Sequence, residues 1–187
     1  MANRNTQGFG LIPAGTLGQT PATSGTGKYK IDAGSATTIF QGGAVSSSAG
    51  YIVEGQGTAD NPMVGVLNGI FFNAATTLKP TFQNHYVQVT PANSEDIDAF
   101  VFDNPQQQYV VATDDSVAQS GYLETYDMNA SAGSTTTGRS SATLDIGDTS
   151  ADAASFRLLR SAEDPENDEN AAFRSVIVVP NLIELQS

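Results

Sequence analysis

A chain of 187 residues has room for one domain with a sizeable core and little beyond it. With no cysteine, a disulfide scaffold, a thiolate nucleophile and cysteine-ligated zinc or iron–sulfur sites are excluded. A formal net charge of −12, from 8 Lys+Arg against 20 Asp+Glu, leaves no basic footprint for nucleic acid and disfavours anionic membrane surfaces.

In chain order, residues 1–27 hold Gly8, Gly10, Pro13, Gly15, Gly18, Pro21, Gly25 and Gly27 and few apolar anchors. That composition predicts an extended N-terminal arm, ordered only where something else holds it. The start, 1-MANRNTQGFG-10, lacks the apolar run of a signal peptide, so no cleaved export signal is expected. Residues 28–187 read as a single β domain. Short apolar runs bounded by Gly, Pro, Asn or Asp recur, and helical periodicity is scarce. The candidate strands are 28-KYKID-32, 36-ATTIF-40, 44-AVSSS-48, 51-YIVEG-55, 63-MVGVLNGIFFN-73, 85-HYVQV-89, 98-DAFVF-102, 107-QQYVVAT-113, 121-GYLETY-126, 142-ATLDI-146, 155-SFRLLRS-161 and 173-FRSVIVVP-180. Roughly ten strands at this spacing predict an all-β sandwich or barrel with long polar loops. The run 176-VIVV-179 is apolar on both faces, which predicts a central strand. It and 69-GIFFNAA-75 are the longest apolar stretches, far short of a bilayer span. One short helix is the most that fits, in 161-SAEDPENDENAAFRS-175, where Pro165 suits a first turn followed by acidic residues.

Four features invite a chemical reading. The first, 133-GSTTTGRSSATLD-145, opens as G-x-x-x-x-G-R-S, one residue from a phosphate-binding loop. Such a loop follows a buried strand and opens a helix, so that backbone N–H groups meet the phosphates. Here 126-YDMNASA-132 is no apolar strand, the residues after it read as strand, and Arg139 replaces the lysine. A polar surface loop entering a strand at Thr143 is the better reading. Second, the single histidine, His85, cannot build a multi-histidine metal site and has no nucleophile elbow to serve. Third, 148-DTS-150 resembles the Asp-Thr/Ser-Gly of aspartic proteases but lacks the glycine and a second copy. Fourth, 163-EDPENDEN-170 is acidic, yet Pro165 and the missing glycine break a calcium-loop pattern. A carboxylate pair for glycoside hydrolysis among Asp96, Asp98, Asp103, Asp114 and Asp115 is a three-dimensional matter. No pattern marks a catalytic centre, a metal site or a cofactor site, and the protein is read as a non-enzyme. Phe71 and Phe72 suit core or subunit contact.

Several stretches, in this order, carry a resemblance. They are 8-GFGLIPAG-15, 28-KYKIDAGSATTIFQGGAV-45, 63-MVGVLNGIFFNAATT-77 with 81-TFQNHYV-87, 98-DAFVFDNPQQQYVVATD-114, 133-GSTTTGRSSATLD-145 and 156-FRLLRSAEDPENDENAAFRSVIVV-179. The most specific pieces are Ile39-Phe40-Gln41-Gly42, Gly65-Val66…Gly69, Asp103-Asn104-Pro105 and Thr137-Gly138-Arg139-Ser140. Together they resemble the decoration, or cement, proteins of tailed-bacteriophage capsids, small structural proteins encoded beside the major capsid protein. The family's Pro-Phe-Gly-Leu-Arg-Pro-like stretch reads Gly8-Phe9-Gly10-Leu11-Ile12-Pro13 here, with Ile12 in the arginine's place.

The resemblance implies a virion structural protein on the outer capsid surface, assembled in the host cytoplasm and needing no cofactor. Its partners would be the major capsid protein and copies of itself, as a homotrimer or a dimer, with neither nucleic acid nor membrane among them. The implied contact residues are Phe9, Leu11 and Ile12 of the arm, Phe71, Phe72 and Arg139. Three other readings remain open at this stage: a carbohydrate-binding β-sandwich on the virion, which the absence of Trp weakens, a hydrolase using a carboxylate pair, and another head or tail component.

Overall fold

The computed structural model describes residues 3, 5–18, 25–130, 132–147, 154–168 and 170–186. They form thirteen short strands: β1 (Ile12–Thr16), β2 (Gly27–Ile31), β3 (Ala44–Ser48), β4 (Tyr51–Glu54), β5 (Gly65–Asn73), β6 (Pro80–Gln83), β7 (Ile97–Phe102), β8 (Gln107–Ala112), β9 (Thr125–Tyr126), β10 (Met128–Asn129), β11 (Thr143–Leu144), β12 (Phe156–Ser161) and β13 (Ser175–Pro180). Helical structure among the described residues is limited to 3-10 turns at Ala92–Ser94, Gln119–Gly121 and Glu184–Gln186. The protein is all-β, as the spacing of its apolar runs predicts.

Two antiparallel sheets dominate. One has five strands in the order β1-β8-β13-β12-β9. The other has six, in the order β2-β7-β5-β3-β4, with β6 added beside β5. Strands β10 and β11 form a small third sheet. In the six-stranded sheet β2 and β4 come to lie alongside each other, so the sheet curls around its own core. Strict alternation drives this. On β7, Ile97, Ala99 and Val101 turn inward while Asp98 and Phe100 turn outward. Ile31, Ile39, Val45, Ile52, Val64, Leu67, Ile70, Phe72 and Tyr86 complete that core.

A second core lies against the five-stranded sheet. Tyr109, Val111, Phe156, Leu158, Val176 and Val178 line it, and Ala44, Val66 and Phe102 reach it from the other sheet. Adjacent residues Val66 and Leu67 therefore serve different cores, and the packing is sandwich-like. A register shift between Leu67 and Gly69 then resets the phase of β5, which lets both Leu67 and Ile70 point into one core. Strand β13 is the middle of the five, as its doubly apolar run predicts.

Three readings are corrected by the structure. The 161–175 segment forms no helix among its described residues; it is a loop between β12 and β13. Asn167 organises it, donating through Nδ2 to Ser161 Oγ, Ala162 O and Ser175 O at 3.0, 3.1 and 2.8 Å and accepting from Ser175 N at 2.9 Å. An amide that replaces ladder partners in this way competes with helix. The stretches 36–40 and 85–89 are not strands; only the bridge Ile39↔Tyr86 joins them. And 121–126 shrinks to β9, because the 3-10 turn at Gln119–Gly121 and a positive φ at Leu123 occupy its first half.

Within 1–27, the described residues engage the body of the protein. Asn3 is buried and donates to Ala172 O at 2.8 Å, while Asp168 N donates to Asn3 Oδ1. Asn5 donates to Ser175 Oγ at 3.1 Å, and Leu11 enters the second core. Strand β1 then forms the outer edge of the five-stranded sheet against β8, with an irregularity between Pro13 and Gly15.

Candidate functional site

The near-phosphate loop decides its own case. Ser134 and Arg139 face each other across a turn, with Ser134 N donating to Arg139 O at 2.9 Å and Gly138 N to Ser134 O at 2.7 Å. Two of the loop's amides, on Ser134 and Gly138, are thus bonded inside the loop itself, and the chain continues into β11, not into the helix that a phosphate loop opens. Both glycines answer to packing. A Cβ on Gly133 would lie 2.5 Å from Phe40, and one on Gly138, where φ is +72°, would lie 2.4 Å from both Asn84 Oδ1 and His85 Nδ1.

The same loop is pinned to its surroundings. Gln41 N donates to Gly138 O and Ser140 N to Gln41 O, both at 2.9 Å. Asn84 Nδ2 reaches Thr137 O at 2.9 Å. From the other side Leu11 N donates to Gly42 O at 2.8 Å, Gly42 N to Leu67 O at 2.9 Å, and Gly10 N to Ala142 O at 3.1 Å. Three stretches distant in sequence, 8–13, 39–43 and 133–142, are therefore laced together over β5.

Where they meet there is a cleft of about 90 Å³. The arm residues Phe9, Leu11, Ile12 and Pro13 line it together with Gln41 and Gly42, the Leu67–Asn68 stretch of β5, Phe102 of β7 and the exposed Arg139 at its rim. Gln41 is held by its Nε2 bond to Asn68 O at 3.0 Å. Ile12 is 41% exposed at the mouth. The Arg139 guanidinium is exposed and makes no ion pair among the described residues. The volume is about three times a water's share of the liquid. It suits one aliphatic side chain, well below the roughly 300 Å³ of a small-molecule pocket.

The candidate contact residues thus divide. Phe9, Leu11, Ile12 and Arg139 converge on this cleft, although Leu11 is itself buried. Phe71 and Phe72 lie elsewhere and point to opposite faces of β5. Phe72 is in the core of the six-stranded sheet, whereas Phe71 is half-buried on its outer face, opposite Phe82 on β6 and Asp98 on β7. Sequence reasoning missed Phe82, which is 61% exposed and meets Phe100 at 6.1 Å between ring centroids. The signal was present: Gly69, between them in register, leaves the room that the Phe82 ring fills.

The carboxylates singled out from the sequence have local partners. Asp98 lies 2.7 Å from Lys28 Nζ and 2.6 Å from Lys30 Nζ. Burial pushes its pKa up, but the two ammonium groups outweigh this and hold it below the ordinary carboxylate value. Asp103 accepts from Tyr29, Asp96 from Tyr51, Asp114 from Ile146 N and Asp115 from Ser116 N. His85 stacks on Phe40, its ring nearly parallel at 6.0 Å, and its Nδ1 is 2.9 Å from Asn84 Oδ1. In the acidic run, Asp164 and Asp168 close local turns by accepting from Glu166 N and Asn170 N. Among the described residues no group of three or more His, Cys, Asp or Glu is placed to hold a metal. The 148-DTS-150 tripeptide lies outside the described residues. No described helix is long and apolar enough to cross a membrane. No known protein family, curated protein or solved structure matches the chain.

Proposed function

We propose that this protein decorates the outer surface of a tailed-bacteriophage capsid, bridging neighbouring capsid subunits and associating with copies of itself. One observation carries the reading beyond the sequence resemblance. The arm stretch Gly8–Pro13, the Ile39–Gly42 turn, the Gly65–Gly69 strand and the Thr137–Ser140 loop, which carry much of that resemblance, converge on one cleft with an exposed arginine at its rim. Such convergence favours a contact surface shared by assembling proteins. A knob-sized apolar cleft beside a charge is the form of an interface anchor. Binding only the assembled shell would stabilise it by mass action.

The test is reconstitution. Added to purified capsids that lack it, the protein should occupy defined positions in reconstructed images and raise the temperature at which the shells release DNA. Shells that neither bind it nor gain thermal resistance would overturn the assignment. Phe82, exposed beside Phe71 and Phe100, favours the second reading of a carbohydrate-binding virion component. A glycan array without hits would remove it.

A further inference from the structure

The cleft has a complement on the same chain. Leu123 is 62% exposed and held at φ +68°, a conformation that disfavours branched side chains. Its backbone is fixed on both sides: Leu123 N donates to Leu158 O at 2.8 Å, and Arg157 Nη1 donates to Leu123 O at 2.6 Å. The next residue, Glu124, is exposed and makes no ion pair among the described residues. The result is a rigidly presented aliphatic knob with a carboxylate beside it. The cleft is sized for one such side chain and has Arg139 at its rim.

Charge selects Leu123 from the other exposed large apolar residues. Leu78 is followed by Lys79, which would oppose Arg139. Leu185 follows Glu184, whose carboxylate already accepts from Ser47 N at 3.0 Å. Leu17 and Phe82 have no acidic neighbour, and Ile12 belongs to the cleft itself.

Position fixes the kind of contact. The cleft borders β1 and the knob precedes β9, and these strands are the two opposite edges of the five-stranded sheet. Knob and cleft thus lie towards the two ends of the sheet, a placement that a head-to-tail contact can use. We propose that the protein associates with itself head to tail, Leu123 of one copy entering the cleft beside Phe9, Ile12 and Phe102 of the next while Glu124 pairs with Arg139. A heterologous contact of this kind closes into a ring of three or more copies when its rotation permits. This rests on the self-association part of the proposed function; its failure would remove that part and leave binding to the shell, which the reconstitution tests separately.

Sedimentation of the purified full-length chain is the experiment. At micromolar concentration the protein should run as a closed ring, weakened by added salt. Arg139→Glu and Glu124→Arg should each weaken association by about tenfold or more, and the double variant should restore it. Leu123→Gly should also release monomers, because it removes the knob at a position whose positive φ glycine accepts; circular dichroism checks that each variant is folded. A wild-type chain that stays monomeric to about 100 µM, or that forms only a dimer, would overturn the proposal. So would single charge reversals without effect, or a double variant that fails to restore the ring.

Discussion

Tyr29 Oη donates a 2.7 Å hydrogen bond to Asp103 Oδ2, tying β2 to the turn that carries the chain from β7 in one sheet to β8 in the other. Burial first, and then this carboxylate, raise the phenol from 10.0 to about 12. The raised pKa contributes stability that is full below pH 10 and is lost as pH rises through 12. Burial also raises Tyr86, Tyr109 and Tyr126, so in a spectrophotometric titration several tyrosines should ionise late, and Tyr29→Phe should remove one equivalent from that late group. The same variant should cost about 1 kcal/mol at neutral pH.

Asp98 sits between Lys28 and Lys30 on the outer face of the six-stranded sheet, its side chain 14% exposed against 59% and 50% for the lysines. Its pKa is lowered from 3.8, so its contribution is present above that value and is lost as pH falls through the lower folded-state pKa. Because the lysines are well solvated, Asp98→Asn should cost roughly 1–2 kcal/mol at pH 7, short of the loss expected for a buried pair. In denaturant melts the difference from wild type should vanish at strongly acidic pH. Lys30 gives the alkaline counterpart: Asp98 raises its pKa, and that stabilisation fades as pH climbs past 10.5.

Asn167 stands in for the ladder that the β12–β13 loop lacks, with three donated bonds and one accepted. Asn167→Ala should cost about 2 kcal/mol, since water replaces only part of these bonds. Amide exchange at Ser175, whose N–H donates to Asn167 Oδ1, should accelerate more than exchange in the middle of β13.

Gly138 and Gly50 both have positive φ, at +72° and +86°, but only Gly138 faces close neighbours. Gly50→Ala should therefore cost about 1 kcal/mol, the backbone part alone. Gly138→Ala adds a clash with Asn84 and His85 and should cost roughly 2–4 kcal/mol. Paired thermal melts check the difference. Arg139→Lys, which completes the phosphate-loop pattern on paper, should produce no nucleotide binding by calorimetry, because the loop leads into β11 and not a helix, and the N–H groups of Ser134, Gly138 and Ser140 already have backbone acceptors.

Much of the fold was legible where alternation is strong. The stretch 44–48 is β3 without change, and the doubly apolar 176–179 is the middle of its sheet. Strand β1 was not legible, because Pro13 and Gly15 lower its propensity and only pairing with β8 makes it a strand. Strand β6 begins on Pro80 and pairs only with β5, so it too depends on its neighbour. Of the candidate contacts, the grouping of Phe9, Leu11 and Ile12 could be read from adjacency. Their meeting with Arg139 could not, because more than a hundred residues separate them.

Composition and spacing alone determine that the chain is all-β, acidic and built from short strands, and context alone argues against a phosphate loop at 133–140. These are local properties, set by period-two alternation and by what precedes and follows a motif. Tertiary structure alone decides that Phe72 is core while Phe71 faces outward, that three remote stretches enclose one cleft, and that Leu123 and that cleft lie at opposite edges of one sheet. Strand neighbours are chosen by long-range pairing and by the bulge at Asn68, and a shift of one residue there would reverse every face.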